Sequence, residues 1–194
     1  MIDAYFIHLL ILIGIYSILA ISLQLSLGYS GLLNLGHIAF FGIGAYASAI
    51  LALNGFPFLI YLVAAGIISA FFGWLLSIPT NKLKGDYLAL VTLGFSFVVY
   101  AVLLNWTTLT KGSLGLPGIP RPIIAGIDFS ENTFFLILVF IIAFASYLFI
   151  NRICKSSFGK ALEATRDDEL AAKSLGKNTT KIKSVSLLVS AFFA

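Results

Sequence analysis

The sequence predicts an all-α fold: a polytopic transmembrane helical bundle of about five complete spans plus a truncated sixth, with a polar helical segment between the last two. Three observations predict it. Residues 4–81 contain no Asp, Glu, Lys or Arg. The 194-residue chain is 60% hydrophobic and only 10% charged, whereas globular chains are about a quarter charged. Its apolar runs approach or exceed the roughly 20 residues of one helical crossing. They far outrun the roughly 10-residue alternating segments of a membrane barrel. A helix satisfies its backbone groups internally, which hydrocarbon demands.

The first span covers residues 5–27. No positive n-region or small-residue cleavage site marks it for removal. The second covers residues 32–53 and the third 58–78, where Pro79 closes the helix because it cannot continue the hydrogen-bond ladder. Residues 79–86 form a short polar loop with Lys82 and Lys84, and the fourth span follows at 87–104. Residues 105–132 carry Gly112, Gly115, Pro117, Gly118, Pro120 and Pro122 and read as irregular, mostly outside the hydrocarbon. The fifth span covers 133–150. In the polar stretch 151–183, Ser157 caps a helix over 158–166. Asp167 or Asp168 caps another over 169–175, which Gly176 ends. Thr179 or Thr180 caps the sixth run, whose apolar part, 184–194, is too short to cross. The chain therefore reads as a fragment of a longer protein.

Charge orients the bundle. Arg152, Lys155, Lys160, Arg166, Lys173, Lys177, Lys181 and Lys183 share one loop, and Lys82 and Lys84 fall on the same side two crossings earlier. Lys111 and Arg121 lie opposite. The positive-inside rule makes the 151–183 loop cytoplasmic and the N-terminus extracytoplasmic. Ala65, Ser69, Gly73 and Ser77 recur every four residues on the third span. Gly44 with Ser48 and Ala45 with Ala49 repeat the pattern on the second. Such ladders let helices approach closely.

No Asp, Glu, Lys or Arg sits in the middle of a span, which argues against proton coupling. Sodium held by carbonyls and hydroxyls stays open. His37 lacks neighbouring ligands at metal spacing and reads as a structural, hydrogen-bonded histidine. Lys111-Gly112-Ser113 lacks the upstream glycine and strand-to-helix setting of a phosphate loop. The chain is thus no enzyme, and no cofactor is called for. The lone Cys154 excludes an intrachain disulfide and a multi-cysteine metal site. No aromatic-interleaved basic patch points to nucleic acid. The polar interruption Gly28-Tyr29-Ser30-Gly31-Leu32-Leu33-Asn34-Leu35-Gly36-His37 is the first candidate for chemistry. It is either a broken helix meeting substrate with bare backbone groups or a tight turn between spans. The second candidate is the 151–183 segment, whose Ala161, Ala164, Ala171 and Ala172 suit a docking surface or a solvated loop.

Four separated stretches resemble one family. Residues 27–46 (LGYSGLLNLGHIAFFGIGAY), 84–95 (KGDYLALVTLGF) and 105–116 (NWTTLTKGSLGL) are similar to stretches of bacterial branched-chain amino acid ABC transporter permeases, closer to the M-type subunit than to the H-type. Residues 159–176 (GKALEATRDDELAAKSLG) resemble the family's cytoplasmic coupling segment, the counterpart of the EAA loop, with Glu169, Ala171, Ala172 and Gly176 at pattern positions. The likeness runs from residue 23 to 194; Lys111-Gly112 and Asn34 are mild departures. It implies that residues 1–194 are the N-terminal part of a permease domain with 151–183 as its coupling loop. It also implies a multi-pass protein of the bacterial inner membrane, working in an ATP-driven importer of leucine, isoleucine, valine or related amino acids. The partners implied are an H-type permease, two ATP-binding subunits and an extracytoplasmic binding protein. An ion-coupled amino-acid carrier is the rival reading, as is a related permease for amides or urea. On this basis the translocation path is expected along Gly28, Gly31, Asn34, Gly36, His37, Thr92 and Ser96, and ATPase docking at Leu162, Arg166, Glu169, Ala171, Ala172 and Gly176.

Overall fold

The computed structural model describes residues 2–81, 83, 85–124, 127–129 and 131–194. Lys82 and Lys84, two of the residues used to orient the chain, lie outside the described residues. Helix α1 (Ile2–Gln24) passes directly into a π-helical turn, Leu25–Tyr29. A non-helical stretch leads to α2 (His37–Leu53), then α3 (Phe58–Thr80) and α4 (Asp86–Asn105). After α5 (Thr107–Thr110) come a 3-10 turn and β1 (Ile123–Ile124), paired antiparallel with β2 (Ile127–Asp128). Next come α6 (Asn132–Lys155), α7 (Ser157–Asp167), α8 (Glu169–Ser174) and α9 (Thr179–Phe193). The protein is an all-α, polytopic helical bundle. Among the described residues, four helical segments are long and apolar enough to cross a membrane: Tyr5–Tyr29, Phe58–Thr80, Asp86–Asn105 and Asn132–Lys155. The second expected span begins at His37 rather than residue 32 and has 17 helical residues.

Packing follows the small residues. Helix α3 lies against α9 and α2, and α1 lies against α6. Ala65, Ser69, Gly73 and Ser77 are all buried. A Cβ on Gly73 would stand 2.6 Å from the Ala191 Cβ and 3.0 Å from the Leu187 carbonyl oxygen. Ser69 donates to the Phe40 carbonyl at 2.9 Å, joining α3 to α2. On α2, Gly44 faces the Ser69 hydroxyl and Ala49 is buried, but Ala45 is exposed, so half of that shorter ladder packs. Gly14 supplies a further close approach, where a Cβ would meet Val139 Cγ1 at 2.6 Å. Outside the seams, α1, α4 and α6 present large apolar side chains such as Phe6, Phe97 and Phe144 outward. That inverts the soluble arrangement and suits lipid or neighbouring helices.

Several boundaries differ from expectation for local reasons. Helix α3 runs through Pro79 to Thr80. Pro79 costs the ladder its own N–H, and the turn is closed by its neighbours: Thr80 Oγ1 and Asn81 N donate to the Leu76 and Ser77 carbonyls. Helix α6 continues past residue 150 to Lys155. The α7 cap is Ser156, not Ser157; its Oγ accepts from Phe158 N at 3.2 Å and Gly159 N at 3.5 Å. Asn178, not Thr179 or Thr180, caps α9 by accepting from Lys181 N at 3.0 Å. Asp168 caps α8 as expected. Gly159 rests on the Cys154 carbonyl so closely that any side chain would collide, which folds α7 tightly back from α6. The connection after α4 holds more order than expected. Thr110 Oγ1 donates to the Leu103 carbonyl, 2.6 Å away, and accepts from Gly112 N.

Candidate functional site

The polar interruption is a genuine break between helices. The π turn widens the end of α1, and Gly31 then reverses the chain at φ +67°, a conformation glycine adopts at little cost. Leu32 N reaches back to the Ser26 carbonyl at 2.9 Å. Asn34 Oδ1 accepts from Gly36 N at 3.1 Å, and Leu35 N donates to Thr92 Oγ1 of α4 at 3.0 Å. Gly36 sits directly on the Thr92 carbonyl, leaving no room for a side chain. These contacts bind the break to α4 and delay the start of α2.

His37 is buried, with Nε2 2.8 Å from Ser22 Oγ. Ser22 Oγ in turn lies 2.8 Å from the Leu19 carbonyl. Ser22 has one hydroxyl proton for two neighbours: with it on the carbonyl, Nε2 donates and Nδ1 is bare, and with it on the ring, Nδ1 carries the imidazole proton. The structural reading of His37 fits this geometry. Buried Asn34 Nδ2 and His37 Nδ1 have no protein partner. Of the seven residues expected along a path, Gly28, Gly31, Asn34, Gly36, His37 and Thr92 gather in or against the break. Ser96 stands one turn along α4, bonded to its own Leu93 carbonyl.

Sequence reasoning missed the serines that stitch α9 to this region. Ser186 Oγ lies 2.9 Å from Ser30 Oγ and 3.4 Å from the Leu25 carbonyl oxygen. Ser190 Oγ donates to the Ser22 carbonyl at 2.7 Å. The signal was present. Ser22, Ser26 and Ser30 recur every four residues, as do Ser186 and Ser190, which puts each set on one helix face.

Beneath the break lies the α7–α8 pair. Leu162 is fully buried in a cluster with Leu25, Ile150 and Cys154, so α7 is seated on the π turn itself. Arg166 Nη1 donates to the Gly28 carbonyl at 2.6 Å, and its Nε and Nη2 hold Asp167 Oδ1 at 2.9 Å. Glu169 accepts from Lys183 at 2.8 Å, Lys173 at 2.9 Å and Thr179 Oγ1 at 3.2 Å. The Lys183 hydrogen bond, reinforced by Lys173 and Thr179 against the opposing effect of burial, draws the Glu169 carboxyl down to about 2. Ala172 is buried, contrary to its reading as an exposed alanine, whereas Ala164 and Ala171 are exposed. Gly176 turns the chain at φ +76°. The apolar tips of the pair are Leu170 and Leu175, 71% and 81% exposed. Of the six expected docking residues, Leu162 and Ala172 point inward, Arg166 and Glu169 hold other parts of the chain, and Ala171 and Gly176 face out. A cleft of about 360 Å³ between break and pair is bordered by Gly31, Leu83, Gly85, Arg166, Glu169 and Lys183. Leu83 and Gly85, between α3 and α4, therefore share one end of the bundle with the α7–α8 pair. Among the described residues, no three His, Cys, Asp or Glu side chains gather to hold a metal.

Residues 5–194 match the family model described as the permease component of the branched-chain amino acid transport system. The chain is 41% identical, over 204 aligned residues, to the high-affinity branched-chain amino acid transport system permease protein LivM of Salmonella typhimurium, covering 93% of this chain and 48% of that protein. It is 39% identical to the corresponding LivM of Escherichia coli, with the same coverage. It is 26% identical to the permease protein LivH of Salmonella typhimurium over 195 residues, 92% of this chain and 63% of that protein. The chain thus spans about half the length of the LivM relatives it matches. No solved structure matches it.

Proposed function

The chain belongs to the family of branched-chain amino acid transport permeases, and on that premise we propose that it acts as the M-type membrane subunit of an ATP-driven importer for leucine, isoleucine, valine or a related amino acid. The observation that carries this reading is the α7–α8 pair. Two capped helices are braced against a helix break on one side and display Leu170, Ala171, Leu175 and Gly176 on the other. Exposed leucines on an otherwise charged pair suit a partner that buries them. The partners are two ATP-binding subunits beneath, an H-type permease alongside and an extracytoplasmic binding protein above. The break borders the translocation path, where backbone groups, Asn34 and Thr92 offer dipoles to the ammonium and carboxylate of a zwitterion while apolar walls tolerate its side chain. The charge bias sets the pair in the cytoplasm and the N-terminus outside.

Purification of the tagged permease from its own cells tests the assembly, and uptake by proteoliposomes tests the energy source. ATP-binding subunits are expected to co-purify, and leucine uptake is expected to require both ATP and the binding protein. Leu175→Asp should release the ATP-binding subunits while the permease still inserts. Uptake driven by an ion gradient without ATP would instead favour a carrier. Orientation is read by labelling single cysteines in a Cys154→Ser background. Cysteines at Ser174 and Ser113 should react from opposite faces, and reaction from one face overturns the topology.

A further inference from the structure

We propose that Arg166 is a positioning residue that ties α7 to the helix break and so transmits movement of the α7–α8 pair to the π turn. Glu, Asp, Lys and Arg are absent from residues 4–81, yet a guanidinium from 138 residues away is bonded to a carbonyl inside that stretch. The Gly28 carbonyl stands near the C-terminal end of a helix, where the ladder runs out of N–H donors and the macrodipole is negative. A cation there gains from both. Arg166 reaches it at 2.6 Å, and Asp167 fixes the guanidinium from two other nitrogens. The stem of Arg166 also lies across Gly31, where a Cβ would meet Arg166 Cγ at 2.7 Å. One side chain therefore covers both glycines that bound the reversal of the chain.

The contact is built to move as a unit with α7 yet to break and remake. Leu162, one turn before Arg166, is buried against Leu25, the first residue of the π turn. Apolar seat and polar tie thus act on the two ends of a single turn. The Arg166 side chain is 42% exposed, so water can reach the contact when it opens. A π turn differs from α geometry by one step of hydrogen-bond register, and such turns are frequent at functional sites. Tilting α7 would pull on the Gly28 carbonyl and shift the turn. That places Arg166 among the force-bearing contacts inside the permease rather than on the partner's surface, although it lies on the segment expected to dock.

This inference rests on the ATP-driven reading above, and its test separates the two. The permease is assembled with its ATP-binding subunits and binding protein in proteoliposomes, and co-purified subunits, ATP hydrolysis and leucine uptake are measured together. Arg166→Ala is expected to keep the ATP-binding subunits and to hydrolyse ATP, but to import about tenfold less leucine per ATP, the scale of one lost charge-assisted hydrogen bond. Arg166→Lys restores a donor and should recover most of the ratio. A wild-type ratio in Arg166→Ala overturns the proposal. So does loss of the ATP-binding subunits, which would make Arg166 a docking residue, and so does a failure of lysine to recover the ratio. Should Arg166→Ala not accumulate, Arg166→Met keeps the stem over Gly31 and carries the same expectation; failure of both to accumulate assigns the contact to folding and overturns the inference. Absence of ATP-binding subunits from the unmodified assembly is the separate failure of the ATP-driven reading and removes the ground for this one.

Discussion

Helix α9 meets α3 and α1 by opposite means. Towards α3 it presents Leu187 and Ala191, and the seam closes because Gly73 has no side chain at all. Towards α1 it presents Ser186 and Ser190, which reach carbonyls of α1 and its π turn and the hydroxyl of Ser30. The first seam depends on shape. Its energy is dispersion over a close approach, and it has one good arrangement. The second depends on hydroxyls that can choose among several carbonyls along a helix. In a membrane such bonds are individually modest, at about 0.6 kcal/mol on average. A bundle that must hold together and also move gains from having both: a fixed side and an exchangeable one. The exchangeable side is the one facing the break.

Breaking the shape-based seam should have the largest effect. Gly73→Val places methyl groups where the Ala191 Cβ and the Leu187 carbonyl already stand at 2.6 and 3.0 Å from a bare Cβ. The obstacle includes backbone, so relief needs α9 to shift. We expect destabilisation of about 3 kcal/mol, read as a lowered thermal midpoint in detergent and reduced membrane abundance. Gly94→Ala on α4 meets nothing within 4 Å and should leave the midpoint unchanged or slightly raised. Equal losses at both positions would show that fit at the α3–α9 seam does not set the outcome.

The end of α9 nearest α8 uses a third means, charge. Glu169 and Lys183 are both largely buried, with side chains 14% and 11% exposed. Because the folded carboxyl sits at about 2 rather than its ordinary 4.5, the contact stabilises fully above the ordinary value. It is lost as pH falls from there towards about 2. Glu169→Gln should therefore cost about 2 kcal/mol at neutral pH. The gap between variant and parent should shrink in acid, measured by denaturation across pH. A gap that is constant with pH would mean that packing, not ionisation, holds α8 to α9.

How much of this was legible in the sequence follows from the range of each interaction. The charge-free stretch, the four-residue ladder on α3 and the Asp168 cap were all readable, because each is fixed by side chains a few residues apart. The break was readable as glycines and Asn34, but not its π turn, which depends on where α9 and α7 press. The caps Ser156 and Asn178 were missed by one or two residues because neighbouring Ser157, Thr179 and Thr180 offer the same chemistry. Leu162 and Ala172 read as surface residues because nothing local says that α7 is seated on Leu25. Arg166 read as a docking charge for the same reason: its partner, Gly28, is 138 residues away.

The smallest expected loss of stability sharpens the comparison most. Ser190→Ala removes a donor to the Ser22 carbonyl and leaves a cavity no larger than one oxygen. The loss should be about 0.6 kcal/mol, several times less than at Gly73. If the serine seam exists to move, its removal should act on transport out of proportion to that figure. Uptake rate in proteoliposomes should fall clearly while the thermal midpoint barely shifts, and Ser190→Thr, which keeps the hydroxyl, should recover the rate where its added methyl is accommodated. The Ser22 carbonyl belongs to the residue that also holds His37, so a change here reaches the start of α2 through one hydrogen-bonded step. An uptake loss merely in line with the stability loss would make the two faces of α9 equivalent. The hydroxyls would then be fastenings like the glycines, and the movable side of the bundle would have to be sought elsewhere.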